Sequence, residues 1–479
     1  MTPRLHRDTL ERLPAGVQRP ARSWGITPPG VLHLGVGNFH RAHQAIAFED
    51  LALAGDARWG VCGVSLRRPV MRDALVAQDG LYTVLERDGR GAQARVVGSL
   101  RELLVAPESP ATVRDRLASP NTRLVTLTIT EKGYDQTDAG SALALLVEGL
   151  AARHAAGVGG LTLLSCDNLS RNGGLLHERL IRAASPVVRD GSLAGAPLAR
   201  WIEHEVVCPD TMVDRIVPAT TDADRAQAEQ VLGLHDAWPV ATEPFSQWVI
   251  EARFAGEAPP LDRVGAQWVD DVAAWEAMKL RLLNAAHSSL AYLGVPLGLA
   301  TVDEAAADPS LRIFLARLWR QVEPTLPASV RGEVGPYTGR LLERFANPAL
   351  RHALRQISAD GSRKLPQRLL VSLREARRQG LPHDALLLGV AAWLHFLIGE
   401  PDPHARSATR WSVDDPLAGQ LLPVARKEVC TRDRVGALLG VQAVFADDLY
   451  QDSSLLDALT RALERLRTQG ARAAISSID

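Results

Sequence analysis

Residues 30–45 read Gly-Val-Leu-His-Leu-Gly-Val-Gly-Asn-Phe-His-Arg-Ala-His-Gln-Ala, and this stretch decides the fold class. Its first six residues are almost all apolar and predict a buried strand, whereas residues 42–55 have the apolar spacing of a helix. Gly35 and Gly37 lie in the turn between them. A strand that passes through a glycine turn into a helix is typical of the first unit of a parallel, doubly wound sheet.

The rest of the first half continues this pattern, and the second half departs from it. Helical patterns separate three more strand-like runs, at 59–64, 123–130 and 161–166. From about Asp271 the chain is helix after helix, with the clearest patterns at 273–294, 310–326 and 383–399. We therefore predict an α/β protein with a Rossmann-like doubly wound domain over residues 1–270 and a mainly α-helical domain over residues 271–479.

Composition limits the classes of function. The 479 residues are 46% hydrophobic and 23% charged, with a net charge of −1, which is typical of a soluble globular protein and predicts no nucleic-acid or membrane surface. The four cysteines are scattered and form no C-x-x-C pair, which favours a reducing compartment. Neither a signal peptide nor a membrane-spanning run is apparent. We expect a cytoplasmic protein that acts on a small molecule, as a monomer or weak homo-oligomer.

The glycine turn is a candidate nucleotide site. Gly35 would make the tight turn, and Gly37 would let the backbone approach a pyrophosphate. The third glycine or alanine of this fingerprint is replaced by His40, so spacing alone leaves an ordinary strand–helix turn about equally possible. A metal site at His40 and His43 is the weaker hypothesis, because no third ligand lies nearby in the sequence.

The residues after the second predicted strand bear on the choice of nucleotide. An acidic residue is expected there to hold the ribose hydroxyls, but the chain reads Ser65-Leu66-Arg67-Arg68-Pro69 and has no acidic residue before Asp73. Two arginines would suit a 2′-phosphate. NAD is the cofactor we expect, and NADP stays open.

The helical pattern at 273–294 carries three polar residues, Lys279, Asn284 and His287. At about 100° per residue, Asn284 lies about 140° and His287 about 80° round the helix from Lys279, so all three share one broad face. The surrounding residues are mostly apolar, and such a helix can keep a lysine dry and lower its pKa towards that of a useful base. From spacing alone, a surface lysine beside a core histidine is the better interpretation.

Several segments together resemble the long-chain polyol and mannitol dehydrogenase family. They are LGVGNFHRAHQA (34–45), QDGLYTVLER (78–87), TLTITEKGY (126–134), SCDNLSRNGG (165–174), PDTMVDRIVPAT (209–220), TEPFSQWVIE (242–251) and the K-x4-N-x2-H helix. Two late segments, 356–370 and 432–449, resemble the branch of the family that acts on uronates.

The resemblance implies a cofactor domain, a helical substrate domain, an active site between them and zinc-independent hydride transfer with NAD. It implies a general base at Lys279, donors to the reacting oxygen at Asn168 and Asn284, and a substrate-orienting residue at His287. Val213 and Asp214 match positions that line the substrate site. The cofactor positions that it implies are Gly35, Gly37, Asn38, Phe39, Arg41, Glu131 and Lys132.

The substrate class rests on a basic segment, residues 363–368. Lys364 is the first candidate to meet a uronate carboxylate and Arg368 the second; the alternative is a solvated basic loop. Gln356 stands where the resemblance implies an arginine in mannitol-type enzymes, which favours a sugar acid. We therefore expect conversion of D-fructuronate and NADH to D-mannonate and NAD. A mannitol 2-dehydrogenase or related polyol dehydrogenase, and a non-catalytic dinucleotide-binding sensor, are the alternatives.

Two segments depart from the family pattern. The loop after Tyr134 is shorter than the resemblance implies, and residues 189–197 are additional and predict a surface loop.

Overall fold

The computed structural model describes residues 2–22, 27–89, 91–136, 138, 140–185, 196–405 and 410–478. The chain divides into two compact units, Met1–Ala273 and Ala274–Asp479, which we call unit 1 and unit 2 and describe separately. Most of the loop predicted at 189–197 lies outside the described residues, and a helix begins at Ala196.

A six-stranded parallel sheet organises unit 1. The strands of this unit are β1 (Val31–Leu34), β2 (Val61–Ser65), β3 (Tyr82–Asp88), β4 (Gly91–Val97), β5 (Leu100–Val105), β6 (Leu124–Leu127), β7 (Leu161–Ser165), β8 (Val206–Val207), β9 (Thr211–Asp214), β10 (Val240–Thr242), β11 (Gln247–Glu251) and β12 (Gln267–Val269). The large sheet has the order β5-β2-β1-β6-β7-β8, and all neighbours are parallel. The order reverses between β1 and β6, which is the switch point where doubly wound sheets bind ligands.

The helices of unit 1 connect these strands. They are α1 (Asn38–Ala42), α2 (Gln44–Leu53), α3 (Val70–Val76), α4 (Pro110–Ala118), α5 (Ala142–Ala155), α6 (Asn172–Ala184), α7 (Ala196–Glu205) and α8 (Asp222–Leu232), with short 3₁₀ turns at Arg7–Arg12, Ala57–Trp59, Glu131–Tyr134 and Leu261–Val264. Strand alternation separates two apolar cores, because Leu32 and Leu34 pack in one and Val31 in the other. The predicted α/β class is confirmed, and the four predicted strands are β1, β2, β6 and β7.

Two small sheets were not predicted. β3 and β4 form a hairpin that β10 extends, and β9, β11 and β12 form the second small sheet. The predicted helix at 42–55 also differs, because His43 has φ −130° and ψ −86° and separates α1 from α2.

Unit 2 is built from helices. They are α9 (Ala273–Met278, which begins at the boundary), a π-helix π1 (Lys279–Asn284), α10 (Ala285–Gly294), α11 (Val302–Ala307), α12 (Pro309–Val322), α13 (Val334–Phe345), α14 (Leu354–Ser358), α15 (Gly361–Leu365), a π-helix π2 (Pro366–Leu370), α16 (Val371–Arg378), α17 (Asp384–Ile398), α18 (Ala418–Ala425), α19 (Thr431–Leu439), α20 (Gln442–Tyr450) and α21 (Ser453–Ser476), with 3₁₀ turns at Glu323–Thr325 and Ala328–Glu333.

The core of unit 2 surrounds α10 and α17, whose residues are buried almost without exception and which pack against each other. The predicted mainly helical second half is confirmed. Among the described helices, none combines the length and the apolar character that crossing a membrane requires.

Candidate functional site

Unit 1 contains a cavity of about 750 Å³ at the carboxyl ends of its central strands. The turn after β1 (residues 35–37), the segment after β2 (residues 65–68) and the segment after β6 (residues 128–130) all line it. These three segments meet at the switch point of the sheet, where ligands of doubly wound proteins bind. The cavity is therefore the candidate nucleotide site of unit 1.

The two glycines of the first turn meet different constraints. Gly35 has φ +97°, and a Cβ built on it would lie 2.1 Å from the carbonyl oxygen of Thr128. Gly37 has an ordinary φ of −93°, and among the described residues a Cβ on it would meet only the carbonyl oxygen of Gly35, at 3.9 Å. The backbone conformation and the close Thr128 carbonyl thus require glycine at position 35, whereas the space beside Gly37 is open to a ligand.

Two histidines lie beneath this turn. The His33 ring bonds the Thr126 hydroxyl through Nδ1 (2.7 Å) and the Gly35 carbonyl through Nε2 (3.0 Å). The His40 ring stacks on it with centroids 3.3 Å apart and is fully buried. Burial lowers the pKa of His33 to about 3 and that of His40 well below its usual value, so both rings are neutral at pH 7. Both rings are part of the core.

The other predicted cofactor residues of this turn make contacts within unit 1. Asn38 donates to the Pro218 carbonyl (3.1 Å) and the Thr220 hydroxyl (3.0 Å). Arg41 is fully buried and donates to the Trp238 carbonyl and to Asn38. The half-buried Phe39 stacks on His43. These side chains shape the turn, whatever further contacts they make with a cofactor.

A buried carboxylate organises the loop after β6. Asp167 accepts hydrogen bonds from the backbone amides of Ile129 (3.0 Å) and Thr130 (2.9 Å) and from the Tyr134 hydroxyl (2.9 Å). Thr130 has φ +66°, so these bonds hold a strained backbone at the cavity wall. Burial raises the pKa of Asp167 despite the bonds that it accepts. Sequence reasoning missed Asp167, although its position two residues after the end of β7 was a signal.

The remaining predicted residues of unit 1 lie around the ends of β6, β7 and β9. Glu131 and Lys132 are exposed and begin the 3₁₀ turn that follows Thr130. Asn168 is exposed just beyond β7, while Val213 and Asp214 are buried in β9.

Arg67 and Arg68 are exposed and line the cavity where an acidic residue was expected. The only acidic residue among the described lining residues is Asp138, in the loop before α5.

In unit 2, a π-helix interrupts the single α-helix expected at 273–294. The backbone amide of Ala285 donates to the carbonyl of Leu280, five residues before it. Residues five apart then lie close to one full turn from each other, rather than about 140° round an α-helix. Lys279 opens π1 and Asn284 closes it, so the two side chains are closer to alignment than the sequence indicated. Single-turn π-helices occur frequently at functional sites.

The polar residues of this helix are nearly inaccessible: Lys279 is 8% exposed, Asn284 7% and His287 7%. Among the described residues, the amide nitrogen Nδ2 of Asn284 is buried and has no hydrogen-bond partner. A buried amide donor left in this state costs about 1–3 kcal/mol, which is a reason to expect an acceptor in the functional state.

Two rings surround His287, and the charge of Lys364 affects one of them. The His287 ring packs on Phe345 (centroids 4.6 Å apart) and edge-on against His352 (5.6 Å). Burial lowers the pKa of His352, and the nearby charge of Lys364 lowers it further. The Lys364 ammonium donates to the carbonyls of Ile357 (3.3 Å) and Ala359 (2.6 Å). His352, which sequence reasoning did not identify, contacts His287 and is affected by the charge of Lys364.

Arg368 lies in π2 and approaches α10. Its Nη1 donates to the Ser288 hydroxyl (3.0 Å) and, at 3.4 Å, to the Asn284 carbonyl. Within the described residues, no group of three or more His, Cys, Asp and Glu side chains is arranged to hold a metal ion.

Comparisons with known proteins agree with this division of the chain. Residues 29–263 match the mannitol dehydrogenase Rossmann domain, and residues 271–467 match the mannitol dehydrogenase C-terminal domain. The chain is 37% identical to D-mannonate oxidoreductase of Escherichia coli, over 96% of this chain and 98% of that protein. It is also 37% identical to mannitol 2-dehydrogenase of Phaeosphaeria nodorum, over 93% of this chain and 81% of that protein.

Solved structures give the same result. The ternary complex of Pseudomonas fluorescens mannitol 2-dehydrogenase with NAD and D-mannitol superposes with a TM-score of 0.83 at 32% identity, covering 99% of both chains. D-sorbitol dehydrogenase in substrate-free form superposes with a TM-score of 0.88 at 30% identity, covering 98% of this chain and all of that one. The chain therefore belongs to the mannitol dehydrogenase family and is a dehydrogenase.

Proposed function

We propose that this dehydrogenase uses NAD(H) to interconvert D-fructuronate and D-mannonate, by hydride transfer at a secondary alcohol without a metal ion. The observation that carries the proposal is the π-helix π1, which presents the buried side chain of Lys279 and also the buried amide of Asn284, whose Nδ2 alone of the two lacks a hydrogen-bond partner among the described residues. Oxidation of an alcohol needs a proton acceptor and a donor that stabilises the developing alkoxide, and π1 offers both.

In this mechanism Lys279, in its neutral form, accepts the hydroxyl proton during oxidation and returns it from the ammonium during reduction. Asn284 donates its Nδ2 hydrogen to the reacting oxygen, and the family resemblance assigns the same task to Asn168. One such donor contributes roughly 3–4 kcal/mol to the transition state. His287 orients the substrate, and its packing on Phe345 and His352 limits its rotation.

The cavity of unit 1 suits a dinucleotide, since it is large enough and Gly37 leaves open space where the backbone must be approached closely. When bound, NAD supplies the hydride acceptor. We assign its binding to the first turn and the loop after β6. The residues are Gly35, Gly37, Asn38, Phe39, Arg41, Glu131 and Lys132.

The sugar acid is favoured by the position of Lys364. The positive charge of Lys364 lowers the pKa of His352, and His352 packs on His287, the residue that we propose orients the substrate. A carboxylate is the natural partner of such a cation. The family resemblance adds Val213 and Asp214 as proposed substrate contacts. The similarity to D-mannonate oxidoreductase of E. coli over nearly the full length of both chains supports this substrate.

A neutral polyol such as D-mannitol is the second candidate. The mannitol 2-dehydrogenase of P. nodorum is equally identical to this chain, and the P. fluorescens enzyme was solved with D-mannitol. The cationic group at Lys364 is the observation that favours the acid over the polyol.

A substrate and coenzyme panel tests the proposal. The purified protein is assayed with D-fructuronate and NADH, with D-mannonate and NAD, and with NAD and D-mannitol, D-arabinitol or D-sorbitol. We expect the highest kcat/KM with the uronate pair, and turnover of a polyol with none of the uronate would overturn the substrate assignment.

Repeating the best reaction with NADP(H) tests the coenzyme. Preference for NADP(H) would overturn the NAD assignment and point to Arg67 and Arg68, which line the cavity. Nucleotide binding without turnover on the whole panel would favour the sensor alternative.

A further inference from the structure

Two side chains from distant parts of unit 2 donate hydrogen bonds to backbone carbonyls of π1. The indole Nε1 of Trp319, on α12, donates to the carbonyl of Leu282 at 3.1 Å. The guanidinium of Arg368, on π2, donates to the carbonyl of Asn284 at 3.4 Å. In both cases the acceptor is a peptide of the catalytic π-helix rather than a side chain.

Such donors have a physical role in a π-helix. Its i→i+5 hydrogen bonds replace the i→i+4 bonds of an α-helix. Such an interruption of the regular backbone hydrogen bonds persists where side chains bond to the backbone groups that it leaves without a partner. A carbonyl with a partner fixed by tertiary packing stabilises the widened turn over its α-helical alternative.

The two donors are well fixed. Trp319 is buried, and its indole nitrogen reaches Leu282 in a water-excluded core. Arg368 also donates to the Ser288 hydroxyl at 3.0 Å, which directs its guanidinium towards the junction of π1 and α10. π2 itself packs against π1. It begins at Pro366, which has no amide hydrogen, and the Val371 amide donates to the Pro366 carbonyl five residues earlier.

We propose that Trp319 and Arg368 are positioning residues, which stabilise π1 in the π-helical form and thereby set the spacing between Lys279 and Asn284. This inference rests on the proposed function, because it assigns the base and the oxyanion donor to these two residues. It gives Arg368 a role through the helix backbone, in contrast to the substrate contact expected from the sequence.

Trp319→Phe is the sharpest test, because it removes one N–H group and keeps an aromatic ring. Trp411→Phe is the matched control: the indole of Trp411 is also buried in unit 2 and donates to a backbone carbonyl, that of Phe396, at 3.1 Å. The substrate is D-mannonate or D-mannitol with NAD, whichever the panel identifies.

We expect Trp319→Phe to lower kcat about tenfold, because small displacements of catalytic groups have effects of up to roughly a hundredfold. The KM for NAD should not change, and the apparent pKa of the kcat–pH profile should shift, because the surroundings of Lys279 change. Trp411→Phe should keep both kcat and the pH profile, with a comparable loss of melting temperature. Equal kcat values and equal pH profiles in the two variants would overturn the proposal for Trp319.

Arg368→Gln is compared with Arg312→Gln, a control at an exposed arginine of α12, outside the basic segment. We expect a lower kcat in the first variant alone, with partial recovery in Arg368→Lys, whose ammonium keeps a charged hydrogen-bond donor at the end of a flexible chain. A rise confined to the substrate KM, with kcat unchanged, would return Arg368 to the role of a substrate contact.

Failure of the inference is distinguishable from failure of the proposed function. If Lys279→Ala is inactive and the Trp319 and Arg368 variants behave like their controls, only the inference fails. If Lys279→Ala is fully active, the assignment of the base fails.

Discussion

The glycine turn of unit 1 and the π-helix of unit 2 are both candidate functional elements, yet they depend on different parts of the chain. The turn is constrained locally: Gly35 has a left-handed φ that favours glycine, and its neighbour across the sheet leaves no room for a Cβ. The π-helix is contacted from far away, by a tryptophan 37 residues from its acceptor and an arginine 84 residues from its acceptor.

This difference explains why one element is visible in the sequence and the other is not. A backbone with positive φ selects glycine, which leaves a readable pattern. A π-helix differs from an α-helix by one hydrogen-bond register, and the residues Lys-Leu-Arg-Leu-Leu-Asn are compatible with both. Tertiary contacts decide between the two forms.

The largest expected effect is at π1. Lys279→Ala should lower kcat by about 10²–10⁴-fold, the usual contribution of a general base, with little change in the KM for NAD. Steady-state kinetics at pH 7 measures this, and Lys427→Ala, at an exposed lysine of unit 2, is the control. Near-normal activity of the Lys279 variant would contradict the assignment of the general base to π1. The glycine turn would then be the better-supported functional element.

A pair of glycine variants sharpens the description of the turn. Gly35→Ala should destabilise the protein by about 2–4 kcal/mol, because it combines a left-handed φ with a severe clash. Gly37→Ala should change stability by less than about 1 kcal/mol but weaken NAD binding at least about tenfold, because its methyl group enters the open space.

Thermal unfolding and fluorescence titration with NADH separate these two effects. The control is Gly16→Ala, at a glycine with ordinary φ, where no atom of the described residues lies within 4 Å of the added methyl. Unchanged NAD affinity in Gly37→Ala would place the pyrophosphate elsewhere.

The smallest expected effect compares buried histidines of the two units. Burial lowers the pKa of His33 in unit 1 to about 3 and that of His395 in unit 2 to about 4. Because the unfolded chain binds these protons near pH 6.5 and the folded chain does not, stability is lost as the pH falls below 6.5. Each group should account for about 2 kcal/mol between pH 7 and pH 5.

His395→Phe isolates the part of this pH-dependent loss of stability that comes from unit 2. Its Nε2 is buried without a hydrogen-bond partner in the described residues, so the aromatic replacement loses no bond there. Urea unfolding should show the variant gaining about 2 kcal/mol relative to the parent between pH 7 and pH 5. An identical pH dependence in both proteins would contradict the assignment.

The sequence predicted those elements that have a strong local pattern. The central strands β1, β2, β6 and β7 are short apolar runs and were found. The two-residue β8 and the half-exposed β5 lack such a run, and β8 and β5 are strands only because a neighbour in the sheet pairs with them. The helix at 42–55 was predicted as one piece, and the break at His43 depends on contacts across unit 1, including its hydrogen bond to the Gln247 carbonyl.

The candidate site divides in the same way. The sequence was sufficient to indicate a dehydrogenase of the mannitol dehydrogenase family, through the series of similar segments, the glycine spacing and the K-x4-N-x2-H pattern. The comparisons confirm the family. The contacts that surround the candidate site residues are seen only in the structure. Asp167 reaches the amides after β6 because parallel strands end at the same edge of the sheet, and His352, in the segment between α13 and α14, reaches His287 because folding brings together residues remote in sequence.

By itself, the sequence determined the fold class, the change from an α/β to a helical region, the family and the residue types available for proton transfer, because these depend on local pattern and composition. The tertiary structure decided the helical form of residues 279–284 and hence the alignment of Lys279 with Asn284. The reason is that the α- and π-helical forms of the same residues differ by one hydrogen-bond register, which the local sequence pattern does not specify, so that packing and the carbonyl contacts of Trp319 and Arg368 select between them.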